Sequence, residues 1–155
     1  MSIFAKNYNP LKKMNDSIVM NKAADNIRIL AASMVEKAKS GHPGGAMGGA
    51  DFANVLFSEF LVFNPACPEW EGRDRFFLDP GHMSPMLYSV LALSGKYSLD
   101  ELKQFRQWGS PTPGHPEVDV KRGVENTSGP LGQGHTYAVG AAIAAKFLKE
   151  IGRAS

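Results

Sequence analysis

From Asp16 onward, Met20, Ala23, Ala24, Ile27, Leu30, Ala31, Met34, Val35 and Ala38 recur at intervals of three and four. That period lines one face of an α-helix and leaves the charges on the other, so the spacing predicts a long amphipathic helix that Gly41 stops. After the turn Ser40-Gly41-His42-Pro43-Gly44-Gly45, the positions Ala53, Leu56, Phe57, Phe60 and Leu61 repeat with helical spacing, and a glycine hinge joins the two helices. Arg75-Phe76-Phe77-Leu78 is a short apolar run bounded by turn residues, the pattern of a buried strand. Ser84 followed by Pro85 predicts a helix start, the hydroxyl capping free amides, with the helix running to Leu93 and ending at Gly95. Ser98 and Glu101 form a capping-box pair ahead of Leu102 and Phe105, announcing a helix that stops near Gly109. A long connection over residues 110–130 follows. From about Gly132 a last helix places Tyr137, Ala138, Ala141, Ala142, Ala145 and Leu148 on one face, with Lys146, Lys149 and Arg153 in its final turns, where positive charge is favourable. Residues 1–15 are polar, contain Pro10 and lack periodicity, and they read as an arm lying on the surface or on a partner.

A hydrophobic share of 43% with 21% charged residues over 155 residues is that of a globular chain with a real core. The net charge of +2 is small and Lys and Arg are scattered, which argues against nucleic acid as a partner. One cysteine, Cys67, excludes an internal disulfide framework and a multi-cysteine zinc site, and it fits a reducing compartment. No apolar run is long enough to span a bilayer, and the N-terminus lacks the apolar core and cleavage site of a signal peptide. A cytoplasmic location with no membrane partner is the expectation.

The candidate chemistry lies in glycine-bounded loops. All four histidines, His42, His82, His115 and His135, directly follow a glycine, which puts three imidazoles in loops where backbone can come close to a ligand and a fourth at a helix start. Their spacing argues against a metal site, since no pair sits at the intervals that put two imidazoles on one helix face or hairpin. No Ser or Cys lies in an activating elbow, which disfavours nucleophilic catalysis. Gly129-Pro130-Leu131-Gly132-Gln133-Gly134 reads either as a phosphate cradle or as a helix-entry loop whose glycines satisfy backbone geometry; it is neither the dinucleotide fingerprint nor a nucleotide-binding loop with its lysine.

The order and wording of these motifs decide more than any one of them. Ser40-Gly41-His42-Pro43-Gly44, Arg73-Asp74-Arg75-Phe76 leading to Gly81-His82, Thr112-Pro113-Gly114-His115-Pro116-Glu117, and Gly123-Val124-Glu125 followed by Gly129-Pro130-Leu131-Gly132-Gln133-Gly134 and Ala138-Val139-Gly140 occur in this sequence. The set closely resembles the N-terminal part of transketolases, from about Asp16 onward. The wording around His82 departs from the family's usual one, with Asp79-Pro80 before it and Met83-Ser84-Pro85 after it.

The resemblance implies a thiamine-diphosphate-dependent transferase that moves a two-carbon ketol unit from a ketose phosphate to an aldose phosphate in sugar phosphate metabolism, with the cofactor carrying the carbon chemistry. By motif, His82 and the backbone of Gly129, Pro130 and Leu131 would contact thiamine diphosphate. His42 and His115 would line the substrate channel, bonding sugar hydroxyls or shuttling protons, which suits a neutral imidazole. His135 matches no family function and is expected to be structural. The implied fold is α/β, the front portion of a thiamine-diphosphate-binding domain over residues 16–155, mostly helical here because the parallel sheet lies largely beyond Ser155. The Gly-Asp-Gly…Asn stretch that binds the divalent metal, Mg or Ca, and the glutamate that activates the cofactor lie outside these residues. The expectations are a homodimer or a complementing C-terminal chain, and no turnover from residues 1–155 alone. Alternatives are a deoxyxylulose phosphate synthase, a dihydroxyacetone synthase, or a truncated, non-catalytic interaction module.

Overall fold

The computed structural model describes residues 16–152 of the chain. The expected arm, residues 1–15, and Arg153 lie outside the described residues. Helix α1 spans Ser17–Ala38, opened by Asp16, whose carboxylate accepts from the Ile18 N–H at 2.7 Å, and closed by Lys39 in the left-handed region at φ 51°. The stop therefore falls before Gly41. Ala24, Ile27, Ala31 and Met34 bury the predicted stripe, while on the polar side Arg28 pairs with Asp25 and Asp51.

The glycine hinge is itself helical. Pro43 takes the first position of α2 (Pro43–Gly48), where its missing N–H costs nothing, and α3 (Ala50–Val55) follows, continuing into a π turn over Leu56–Phe60. Small residues explain the difference from expectation: Ala46, Ala50 and Ala53 are buried, and α2 and α3 lie close against α1.

Helix α4 (Ser84–Leu93) is the centre of the molecule, preceded by a 3-10 turn at Gly81–Met83. Every residue from Ser84 to Leu91 is buried, as in a helix covered on all sides. Ser84 is not its cap. Met83 holds that place, and the Ser84 hydroxyl donates to the Gly114 carbonyl at 2.7 Å. The capping box is present, the Glu101 N–H donating to Ser98 Oγ and the Ser98 N–H to Glu101 Oε2. However, α5 is the single turn Leu99–Leu102, because the chain bends into successive turns and reaches Arg106 with φ 62°.

The strand expected at residues 75–78 does not form, and among the described residues there is no ladder, only one isolated antiparallel bridge between Asp119 and Val124. The Asn126 side-chain amide takes the place of a neighbouring strand. It accepts from the Leu78 N–H at 3.0 Å and donates to the Leu78 carbonyl at 3.3 Å. Nearby, Arg73 and Glu125 form a buried, two-pronged ion pair, Nε to Oε1 at 2.6 Å and Nη2 to Oε2 at 3.0 Å.

Helix α6 (Gln133–Glu150) has Gly134 as its one buried residue, while Val139, Ile143 and Phe147 are exposed. Its alanine face does not close on a neighbour. Ala138, Ala142 and Ala145 face Arg75 and Phe77 across an open cleft of about 620 Å³. This 18-residue helix therefore holds little apolar surface against the other described residues.

Candidate functional site

His42 is the cap residue of α2, held exposed by the backbone turn ahead of Pro43. His82 lies in the Gly81–Met83 turn at the entrance to α4. The two rings are 4.8 Å apart between centroids, tilted by 53°, although 40 positions separate them in sequence.

His115 is brought to the same place from the long connection. That loop is tied to α4 twice: by Ser84 to the Gly114 carbonyl, and by the Tyr88 hydroxyl to the Pro113 carbonyl at 2.9 Å. A Cβ built on Gly81 would stand 3.1 Å from His115 Cδ2, 2.7 Å from Ser128 Oγ and 3.0 Å from the Ser128 carbonyl carbon. Three segments therefore meet at Gly81: the His82 turn, the His115 loop and the start of the loop carrying residues 129–131. Gly81→Ala is expected to cost about 1–3 kcal/mol, because backbone cannot yield cheaply to an added methyl. It should also change the titration of His115. Urea denaturation and imidazole NMR check both, and an unchanged urea midpoint would refute the close approach.

His115 is held below the ordinary histidine pKa, first by burial, then by the positive charge of Arg106, then by His82 and His42. Its neutral form is therefore favoured near neutral pH, where it can both donate and accept a hydrogen bond. The depressed value has a consequence for stability. Between the folded and ordinary pKa values the unfolded chain binds more protons, so stability falls as pH drops through that window.

Beyond Ser128, which is buried, Pro130 and Leu131 are exposed, Leu131 by 74%. Gly132 then turns through φ 88° to start α6 with no side-chain cap. His135, in the first turn of α6, bonds Asp79 Oδ2 through Nδ1 at 2.5 Å; the Asp79 side chain is 5% exposed and that of His135 79%. This contact joins α6 to the segment just before His82.

Sequence reasoning missed Arg106, Asp79 and Ser128. Asp79 meets His135 across 56 positions, and Arg106 meets Ser40 across 66, so no local pattern could signal either. Ser128 Oγ is buried and has no hydrogen-bond partner among the described residues.

These features fit the ring portion of thiamine diphosphate. An exposed leucine offers an apolar surface, the imidazoles offer hydrogen bonds, and the loop before α6 leaves backbone groups uncapped. Among the described residues no group of three or more His, Cys, Asp or Glu side chains is disposed to hold a metal ion.

Comparison with known proteins identifies the family. The family described as "Transketolase, thiamine diphosphate binding domain" matches residues 19–152. A transketolase of Geobacillus stearothermophilus is 57% identical over 127 residues, 81% of this chain and 19% of that protein. The chloroplastic transketolase-1 of Arabidopsis thaliana is 53% identical over 135 residues, 86% of this chain and 18% of the relative. Among solved structures, the transketolase of Leishmania mexicana superimposes with a TM-score of 0.79 at 48% identity, over 86% of this chain and 20% of that one. The transketolase of Campylobacter jejuni gives 0.79 at 51%, over 86% and 21%. The chain thus spans about a fifth of the length of the relatives it matches, and its mostly helical architecture is that of a segment of their thiamine-diphosphate-binding fold. With the family's own domain matched over residues 19–152 and relatives more than half identical across four-fifths of the chain, this chain belongs to the transketolase family.

Proposed function

We propose that this chain supplies the thiamine-diphosphate-facing part of an enzyme that transfers a two-carbon ketol unit from a ketose phosphate to an aldose phosphate. The observation that carries the reading is the meeting at Gly81 of the His82 turn, the His115 loop and the segment leading to Leu131, with the His42 ring beside that of His82. When bound, thiamine diphosphate supplies the carbon chemistry; the protein's part is positioning and charge management. His82 and the backbone of Gly129, Pro130 and Leu131 hold the cofactor. His42 and His115 face the sugar, donating to and accepting from its hydroxyls, with His115 kept neutral for that purpose.

The divalent cation, magnesium or calcium, takes its ligands from residues other than these. The working enzyme is a homodimer, or pairs with a complementing chain, and acts in the cytoplasm in the pentose phosphate pathway. The exposed apolar side chains of α6, Ile143 and Phe147 among them, support a requirement for such packing partners.

Calorimetric titration of residues 1–155 with thiamine diphosphate and magnesium is expected to give weak binding or none. Ketol transfer should appear only when the later segments of a transketolase are joined or added. Turnover by residues 1–155 alone would overturn the proposed division of the site. Failure of the assembled protein to turn over, with its fold intact, would overturn the enzyme reading in favour of an interaction module.

A further inference from the structure

Arg106 stands between the two turns that carry His42 and His115. Its Nη1 donates to Ser40 Oγ at 2.9 Å, two residues before His42. Its Nε lies 2.6 Å from where a Cβ on Gly114 would sit, and 3.6 Å from the same point on Gly41, so the guanidinium occupies space that any side chain at Gly114 would need. The Arg106 N–H donates to the Thr112 carbonyl at 3.0 Å, holding the residue at φ 62°. A non-glycine residue stays in the left-handed region when its surroundings over-determine it, and such residues gather at functional sites. Arg106 Nε is also buried without a hydrogen-bond partner among the described residues.

We infer that Arg106 is a positioning residue, a wedge that sets the separation of the His42 turn and the His115 turn and acts on the reaction through those two imidazoles. Its part in ketol transfer rests on the function proposed above; the wedge itself does not. The electrostatics point the same way. Arg106 stands second only to burial among the influences that hold His115 low, ahead of His82 and His42. Glu117 lines the same open hollow of about 880 Å³ as Ser40, Arg106, Gly114 and His115, and is the acidic group on that side.

Imidazole NMR titrations of the 155-residue chain test the wedge directly. In Arg106→Gln the His115 midpoint is expected to rise towards the ordinary value of 6.5, and the His42 ring resonances are expected to shift. Arg106→Lys keeps the charge but not the planar fork, so it should restore the His115 midpoint while leaving His42 shifted. Ser40→Ala should move His42 and leave the His115 midpoint in place. An Arg106→Gln chain that is folded, with an unchanged His115 midpoint and unmoved His42 resonances, overturns the inference. If Arg106→Gln does not fold, unmoved His42 resonances in Ser40→Ala overturn it instead. No readout here needs cofactor or turnover, so an assembled enzyme without ketol transfer would leave the wedge standing, and static imidazoles would remove the wedge without touching the proposed function.

Discussion

Glu125→Ala is expected to lower the unfolding free energy by about 3–5 kcal/mol, because it strands the Arg73 guanidinium as a buried charge with no carboxylate to answer it. The side chains of Arg73 and Glu125 are 9% and 8% exposed, so solvent cannot screen the loss. Arg73 Nη1 also donates to the Trp70 carbonyl at 2.9 Å, which ties the guanidinium in place and prevents its escape to water. Against a total stability of about 5–15 kcal/mol for a domain, the loss is large. The double variant Arg73→Met with Glu125→Leu should cost much less, since no buried charge remains. Urea midpoints of the three proteins decide the matter. A single-variant loss under about 1 kcal/mol would place the pair with solvent-exposed ion pairs. The pair matters to the site because it fixes the segment leading to His82 against the segment leading to Ser128, the two that meet at Gly81. Asn126 clamps the same two segments through Leu78.

Tyr88→Ala is expected to cost a similar amount, about 3–5 kcal/mol, the range for emptying a fully buried aromatic position. Tyr88 is 1% exposed. Its ring lies 5.4 Å from that of Tyr97 and 6.3 Å from that of Phe105, so it joins α4 to the α5 turn and the residues after it. Burial, followed by repulsion from Tyr97 and Glu117, drives its hydroxyl pKa far above the ordinary tyrosine value. The hydroxyl therefore stays protonated and keeps donating to Pro113, one residue from Gly114. Tyr88→Phe retains the ring and removes that donor, and about 1 kcal/mol is the expected loss. The two variants separate packing from loop anchoring. Both should alter the His115 titration, with Tyr88→Phe changing it at nearly full stability. A Tyr88→Phe protein with an unaltered His115 would show that Ser84 alone suffices to hold the loop.

Much of the helical layout was legible along the chain because its signals are local. The three-and-four spacing of α1, the capping box of Ser98 and Glu101, and the span of α4 each depend on residues within a few turns of one another. The glycine-preceded histidines and the order of the motifs likewise pointed to the family that the comparisons establish. The errors share one cause. Arg75-Phe76-Phe77-Leu78 has the composition of a strand, but a strand exists only with a ladder partner, and here the partner is the side chain of Asn126, 48 positions away from Leu78. Ser84 has the makings of a cap, but a hydroxyl goes to the carbonyl that tertiary packing brings to it, which is that of Gly114.

By itself, then, the sequence determined where α1, α4, α5 and α6 begin and where α4 ends, which residues carry the candidate chemistry, and which family they spell, since propensity, periodicity and motif wording are properties of neighbours. The tertiary structure alone decided that His42, His82 and His115 share one place, that Asp79 anchors His135, and that Arg106 stands between two turns. The pairings His42 with His82, Asp79 with His135 and Ser40 with Arg106 span 40, 56 and 66 positions. Which of many possible distant pairs meet is settled by the packing of α4 at the centre, not by any pattern that a short stretch of chain can hold.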